Sequence, residues 1–331
     1  MRSYAFIVII SFLATLLLGI ILIPWLKKLK FGQQVRDDGP KTHLKKTGTP
    51  TMGGIIFIFP LILVSLLETR GSGEFVIVAV LSTLGFALIG FLDDYIKVVK
   101  KRSLGLRAYQ KIISQLVIAV VLAFYAYLNP YIGSSVIVPF IGAEWDLGVF
   151  YIPIATFIII GTVNSVNLTD GLDGLCSGVT LVITATLSII LTFSAKLANE
   201  ESLGWLAENY QDLIVFSAAL TGALLGFLRY NAHPAQVFMG DTGSLGLGGA
   251  ISALSILLRI PLWIPIFGGI YLAEAVSVIL QVGSFKLRGK RIFKMAPIHH
   301  HFELKGMPET RVVSMFMIAT VFLCLITLLS I

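Results

Sequence analysis

Apolar residues run through this chain in long, nearly unbroken stretches, and the polar residues collect between them. Ten stretches are long enough to cross a bilayer, whose hydrocarbon core of about 30 Å calls for roughly 20 apolar residues per helix. They cover approximately 4–26, 51–68, 74–92, 108–128, 148–165, 175–194, 210–228, 237–258, 262–284 and 311–331. Short connections leave no room for a soluble domain. The pattern therefore predicts an all-α, polytopic membrane protein folded as a single domain over 1–331. The first stretch, Tyr4 to Trp25, has only Arg2 ahead of it, no small-residue cleavage site after it, and then Lys27, Lys28 and Lys30. That arrangement reads as an uncleaved first span with its N-terminus outside.

Composition agrees, with 56% hydrophobic residues, 13% charged residues and a mean hydropathy of +0.90. Ten spans threaded from an outer N-terminus leave both termini outside, and only Arg2, Arg70, Lys196 and Arg259 fall on the outer side. The inner connections carry Lys30, Arg36, Lys41, Lys45 and Lys46, then Lys97 to Lys111, and then the basic run from Lys286 to Lys305. Charge bias and span count thus support each other. The net charge of +7 is concentrated on the cytoplasmic face, where it meets lipid headgroups or an anionic substrate as well as setting topology. Cys176 and Cys324 both fall in spans and are expected as free, buried thiols. Val136 to Phe140 and the segment around Trp145 could pair as a short outer hairpin.

With this topology the costly polar groups converge on the inner side. Asp93 and Asp94 end the third span, with Lys97 one turn beyond. Adjacent acids suit magnesium and phosphate chemistry, since one orients an ion while the other takes a proton, although a capped helix end paired with Lys97 would look the same. The run Asn164 to Leu175 holds Asn167, Asp170 and Asp173 at three-residue intervals, with no Lys or Arg, and Gly171 and Gly174 allow close backbone approach. Such a run gathers oxygen ligands or receives a nucleotide. Asn231 and Phe238 precede Asp241, which opens a glycine-rich span as a cap or an ion ligand. His299, His300 and His301 lie in the last inner loop; consecutive residues seldom share one ion, which favours phosphate contact over a zinc site. Lys46 stands in the loop before the second span, which adds lysines, hydroxyls and a Gly53-Gly54 pair or is a solvated connector. No hydride-transfer fingerprint and no GxxxxGK loop is present. The set suits magnesium-assisted transfer of a phosphorylated group between a nucleotide and a lipid.

At these residues the chain resembles the polyprenyl-phosphate N-acetylhexosamine-1-phosphate transferases over essentially its whole length. The run Asp93-Asp94-Tyr95-Ile96-Lys97, the run Asn167-Leu168-Thr169-Asp170-Gly171-Leu172-Asp173-Gly174 and Phe238-Met239-Gly240-Asp241 carry the superfamily. Pro50-Thr51-Met52-Gly53-Gly54 and Ala296-Pro297-Ile298-His299-His300-His301-Phe302-Glu303 point to the bacterial phospho-N-acetylmuramoyl-pentapeptide transferases. The resemblance implies a Mg²⁺-dependent reaction at the cytoplasmic face of the bacterial inner membrane. UDP-MurNAc-pentapeptide and undecaprenyl phosphate would give undecaprenyl-pyrophosphoryl-MurNAc-pentapeptide (lipid I) and UMP, the first membrane step of peptidoglycan synthesis. It further implies ten transmembrane helices, a homodimer, a broken ninth helix beside a lipid groove, nucleoside antibiotics such as tunicamycin at the uridine site, and no nucleic acid as partner.

Carried over by motif position, Asp241 is the chief magnesium ligand with Asp93 and Asp94 near the ion, and Asp93 is the base for the lipid phosphate. Lys97 neutralises pyrophosphate charge, and His299 contacts phosphate, with His300 and His301 beside it. Lys46, Asn167, Gly171, Leu172, Asp173, Asn231 and Phe238 form the nucleoside wall, with Phe238 stacking on uracil and Asp170 as polar support. The nearest rival is a sister transferase moving GlcNAc-1-phosphate from UDP-GlcNAc to the same lipid. An intramembrane aromatic prenyltransferase would need a third acid beside Asp93-Asp94, and a transporter would place its acids at the bilayer midplane rather than at span ends.

Overall fold

The computed structural model describes residues 3–28, 46, 48–100 and 105–330. Of the basic residues assigned above to the inner side, Lys30, Arg36, Lys41, Lys45, Lys101 and Arg102 lie outside them. The described chain is helical almost throughout: α1 (Tyr4–Lys28), α2 (Gly54–Glu68), α3 (Glu74–Val99), α4 (Ala108–Leu128), α5 (Tyr151–Thr169), α6 (Leu175–Glu200), α7 (Gly204–Asn231), α8 (Gly240–Leu257), α9 (Ile264–Phe267), α10 (Gly269–Arg288), α11 (Ile298–Leu304) and α12 (Glu309–Ser330). Among the described residues the strands are confined to the expected short hairpin. There β1 (Ser135–Ile137) pairs antiparallel with β2 (Glu144–Asp146), Val136 opposite Trp145.

Eight of the described helices are long and apolar enough to cross a membrane, so this is a multi-pass membrane protein. The two expected spans outside that set are α2 and α8. The α2 helix has 15 residues, because Pro50 to Gly54 enters it in a different way. Phe238 N–H donates to Pro50 O, Gly53 N–H to Phe238 O, and Gly54 N–H to Met239 O. Helix α8 is glycine-rich and central: every residue from Thr242 to Leu257 is buried. It meets protein on all sides, so it has no lipid-facing stripe to make hydrophobic.

Close approach around α8 depends on missing side chains. A Cβ on Gly90 of α3 would lie 2.0 Å from Asp241 O, and one on Gly248 would lie 2.5 Å from Val163 Cα of α5. The same device seats α1 on α7, where a Cβ on Gly222 would meet Val8 O at 2.2 Å. Polar side chains fasten that pair, Ser11 Oγ donating to Ala219 O and Tyr230 Oη to Leu16 O.

The connections gather at two opposite ends. At one end Asp212 accepts the backbone N–H groups of Arg70, Gly71 and Gly73, Tyr125 donates to Glu74, and Ile137 N–H donates to Arg259 O beside an Arg259–Glu144 ion pair. At the other end lie the acids, lysines and histidines singled out above. The connections thus alternate between the two ends along the chain.

Two expected boundaries are corrected, and the break in the ninth span falls where the resemblance implied one. Asp93 and Asp94 do not end their helix: α3 runs on to Val99, and Lys97 makes an i,i+4 pair with Asp93 that supports the extra turn. The histidines stand on the short helix α11 rather than in a loop. The ninth span is interrupted at Gly268, between α9 and α10. Beyond that break α10 leaves Ile279, Phe285 and Leu287 exposed, as a lipid-facing helix would.

Candidate active site

The acidic group is built on the first turn of α8. Gly240 adopts φ +74°, and a Cβ there would sit 2.6 Å from Asp94 Oδ2, so a glycine suits both the turn and the approach of α3. That turn aims the first N–H groups of α8 at α3. Asp94 accepts from Asp241 N (3.2 Å), Thr242 N (2.9 Å) and Thr242 Oγ1 (2.8 Å). A carboxylate on one helix thus caps another, satisfying orphan donors and opposing the positive end of the helix dipole.

One residue earlier on α3, Asp93 places Oδ2 2.6 Å from Lys97 Nζ and accepts from Leu106 N at 2.7 Å. Asp241 Oδ2 lies 3.0 Å from Lys97 Nζ and 2.9 Å from Lys111 Nζ. Its Oδ1 accepts from Asn167 Nδ2 at 2.8 Å, and the same amide donates to Ser244 Oγ. Oxygen atoms of Asp93, Asp94 and Asp241 lie within 4.8 Å of one another. Among the described residues, three acidic side chains face two ammonium groups. An all-oxygen donor set is what a hard divalent cation takes, so these residues fit such an ion.

A second polar group lies at the same end. Lys46 Nζ bridges Asp173 Oδ1 (2.7 Å) and Glu309 Oε1 (2.6 Å). Glu309 also accepts from Asp173 N at 2.7 Å, while Asp173 Oδ2 accepts from Ala235 N and pairs with His233 Nδ1 at 3.1 Å. Asp173, His233 and Glu309 could be drawn together by a metal, but the Lys46 ammonium already serves as their counter-ion.

Between the groups lies the turn after α5. Asp170 accepts from Gly240 N, and its carboxyl is held well above the usual carboxylate range, first by burial and then by the neighbouring Asp241 and Asp94 carboxylates. Gly171 abuts His299: a Cβ there would lie 2.1 Å from His299 Nε2. His299 is buried, with Nδ1 3.0 Å from Glu274 Oε1 of α10. Its neighbours point elsewhere. His300 Nδ1 meets Glu303, and His301 Nδ1 accepts from Lys294 N. Burial, then Lys305 and Lys294, lower the His301 pKa. The three rings therefore address three different partners, as their consecutive spacing suggested.

Of the predicted residues, the structure joins Asp93, Asp94, Lys97, Asn167, Asp170 and Asp241 in one group, Lys46 and Asp173 in the next, and Gly171 with His299 between them. Leu172 is buried beside that turn, and Phe238 is half-buried and tied by its backbone to Pro50 and Gly53. Asn231 plays a different part. It is buried, accepts from Ser177 Oγ and donates to Val237 O, so its amide holds the 232–239 connection in place.

Lys111, His233, Glu274 and Glu309 were not singled out in the sequence. Lys111 reads as one more inner-side charge, Glu309 as an ordinary acid in a first helical turn, and His233 as a turn residue before Pro234. Glu274 carried the clearest signal, as an acid in the middle of an apolar span.

Residues 76–259 match the family model described as glycosyl transferase family 4, a segment that holds both α3 acids, the turn after α5 and Asp241. The chain is 54% identical over 330 residues to a protein of Clostridium kluyveri, covering 100% of both chains. It is 53% identical over 323 residues to one of Clostridium novyi (98% of this chain, 95% of the other). It is 52% identical over 319 residues to one of Caldanaerobacter subterraneus subsp. tengcongensis (96% of each). All three bear the name phospho-N-acetylmuramoyl-pentapeptide-transferase. The chain belongs to glycosyl transferase family 4 and, within it, to the phospho-N-acetylmuramoyl-pentapeptide transferases.

Proposed function

We propose that the whole chain acts as one integral-membrane domain that transfers phospho-MurNAc-pentapeptide from UDP-MurNAc-pentapeptide to undecaprenyl phosphate, releasing UMP and forming lipid I at the cytoplasmic face. The observation that carries this reading is end-to-end identity of about half with transferases of that name, together with the gathering of Asp93, Asp94, Lys97, Lys111 and Asp241 at one end of the bundle.

Asp241, Asp93 and Asp94 would hold Mg²⁺, which when bound supplies charge neutralisation at the pyrophosphate. The remaining work belongs to the chain. An oxygen of the lipid phosphate forms a bond to the phosphorus carried by the sugar, the bridge to the uridine phosphate breaks, and UMP leaves with the electron pair. Lys97 and Lys111 stabilise the charge that grows on the leaving phosphate, and in their partly buried setting each such contact counts for more than it does in solution. Asp93 accepts the proton of the incoming phosphate; because the second pKa of a phosphate monoester is about 6, that step adds modestly to the rate. Asn167 holds Asp241 toward the lysines, and the Lys46–Asp173–Glu309 group with Phe238 borders the nucleoside. Lipid enters beside α10, and two copies of the chain associate in the membrane. Nucleoside antibiotics such as tunicamycin compete at the uridine wall.

UMP release by the purified protein, with each substrate alone and both together, with and without Mg²⁺, tests the reading. Release is expected to need both substrates and the ion, and to collapse in Asp241→Asn. Turnover of UDP-GlcNAc alone would move the protein to the sister activity, and no release from folded protein with either nucleotide sugar would remove the assignment.

A further inference from the structure

Glu274 lies in the second turn of α10, a helix with long apolar exposure, yet its side chain is fully buried. Its Oε1 is 3.0 Å from His299 Nδ1, and both side chains are at most 1% exposed. The other end of each group is unused. Among the described residues, Glu274 Oε2 and His299 Nε2 are buried atoms with no hydrogen-bond partner. Unpaired buried polar atoms are costly and seldom retained without a use. His299 Nε2 faces Gly171, in the turn that also carries Asp170 and Asp173.

An ionised carboxylate only accepts hydrogen bonds, so against a Glu274 carboxylate the shared proton belongs on His299 Nδ1. Which imidazole nitrogen is left for other work is set by the bond the first one makes. Helix α10 restarts at Gly269, after the interruption at Gly268, five residues before Glu274, so the residue is held by the helix that borders the proposed lipid path. The ring it holds touches the turn proposed to border the nucleoside.

Resting on the transferase reading above, we propose that Glu274 is a positioning residue of the active site: by accepting the Nδ1 proton of His299 it fixes the tautomer and orientation of that ring, so that Nε2 is the nitrogen presented to substrate at the Gly171 turn. The ring cannot swing aside while Nδ1 is engaged. Gly171 is the residue whose missing side chain leaves Nε2 its place.

The test joins a spectroscopic measurement to turnover. Nitrogen-15 labelling of the five histidines in detergent-solubilised protein, with His299→Gln to assign the signal, reads the His299 tautomer directly. The wild-type ring is expected to carry its proton on Nδ1; a ring protonated on Nε2 alone overturns the proposal even if the variants fail to fold. Glu274→Met, similar in length and unable to accept, is expected to scramble the tautomer and lower kcat about 10- to 100-fold, the range seen when the partner of a functional histidine is removed. Glu274→Gln, whose amide oxygen still accepts from Nδ1, is expected to keep the tautomer and recover part of that loss. Wild-type kcat in Glu274→Met, or equal losses in both variants with the tautomer unchanged, would reduce Glu274 to a packing residue. Absence of UMP release from the wild type would instead count against the transferase reading, and the tautomer would still be read.

Discussion

Asp241 is surrounded by groups that each restrict it: Asn167 on one oxygen, and Lys97 and Lys111 on the other. Lys111 enters the site from α4, a helix that contributes none of the predicted site residues. Lys111→Met is expected to lower kcat/KM about tenfold or more in the UMP-release assay and to lower the melting temperature, because it leaves the partly buried Asp241 with one counter-ion fewer. Asp170 yields a prediction about stability. Burial, then Asp241 and Asp94, hold its carboxyl well above the ordinary range. From about pH 4, where an unfolded Asp gives up its proton, to that raised value, the folded chain keeps a proton that the unfolded chain releases. Stability from this group is therefore greatest at the acid end of the window and falls as pH rises through it. Asp170→Asn, neutral throughout, is expected to flatten the fall of melting temperature as pH rises above the ordinary carboxylate range; an unaltered slope would assign the titration elsewhere.

At the scale of elements, α3 and α8 are pressed together so closely that backbone meets backbone. Adding a Cβ to Gly90 would place it 2.0 Å from Asp241 O and 2.3 Å from Asp241 C, atoms that cannot rotate away. Gly90→Ala is expected to destabilise the protein by about 1–3 kcal/mol, the usual cost of overpacking, and to abolish UMP release by displacing Asp241. Gly161→Ala on α5 is the matched control. Nothing lies within 4 Å of its Cβ position, so it should keep full activity and gain slightly in stability, since alanine loses less backbone entropy than glycine in a helix. Both outcomes are read from thermal melts and activity on the same preparations. A harmless Gly90→Ala would mean that the two helices separate freely.

Across the whole molecule, one end of the bundle carries the outer hairpin and the Asp212 anchor, and the other carries every residue assigned to the site. Placing that second end in the cytoplasm is testable without any substrate. Cys176 and Cys324 are both buried, which keeps the labelling background low. In intact cells a membrane-impermeant maleimide is expected to label Ser202→Cys, in the α6–α7 connection, and to label Lys290→Cys, after α10, only once the membrane is opened. The reverse result would invert the topology and with it the reaction face.

Taken by itself, the sequence determined the class of this protein, eight of its membrane-length helices, the short hairpin and which acids gather at one end. Those follow from local or compositional causes: unbroken apolar runs must be helical in lipid, lysine and arginine distribution orients them, and acids at span ends are too costly to be accidental. Only the tertiary structure decided what each group touches. Asp94 proved to be the cap of a helix 147 residues away along the chain, and Asn231 a brace for its own connection. Lys111, His233, Glu274 and Glu309 acquired significance only where distant helices met. A hydrogen bond or ion pair between segments 25 to 263 residues apart leaves no periodicity and no spacing to read. It exists because glycine-lined helices pack closely enough to bring those side chains within about 3 Å.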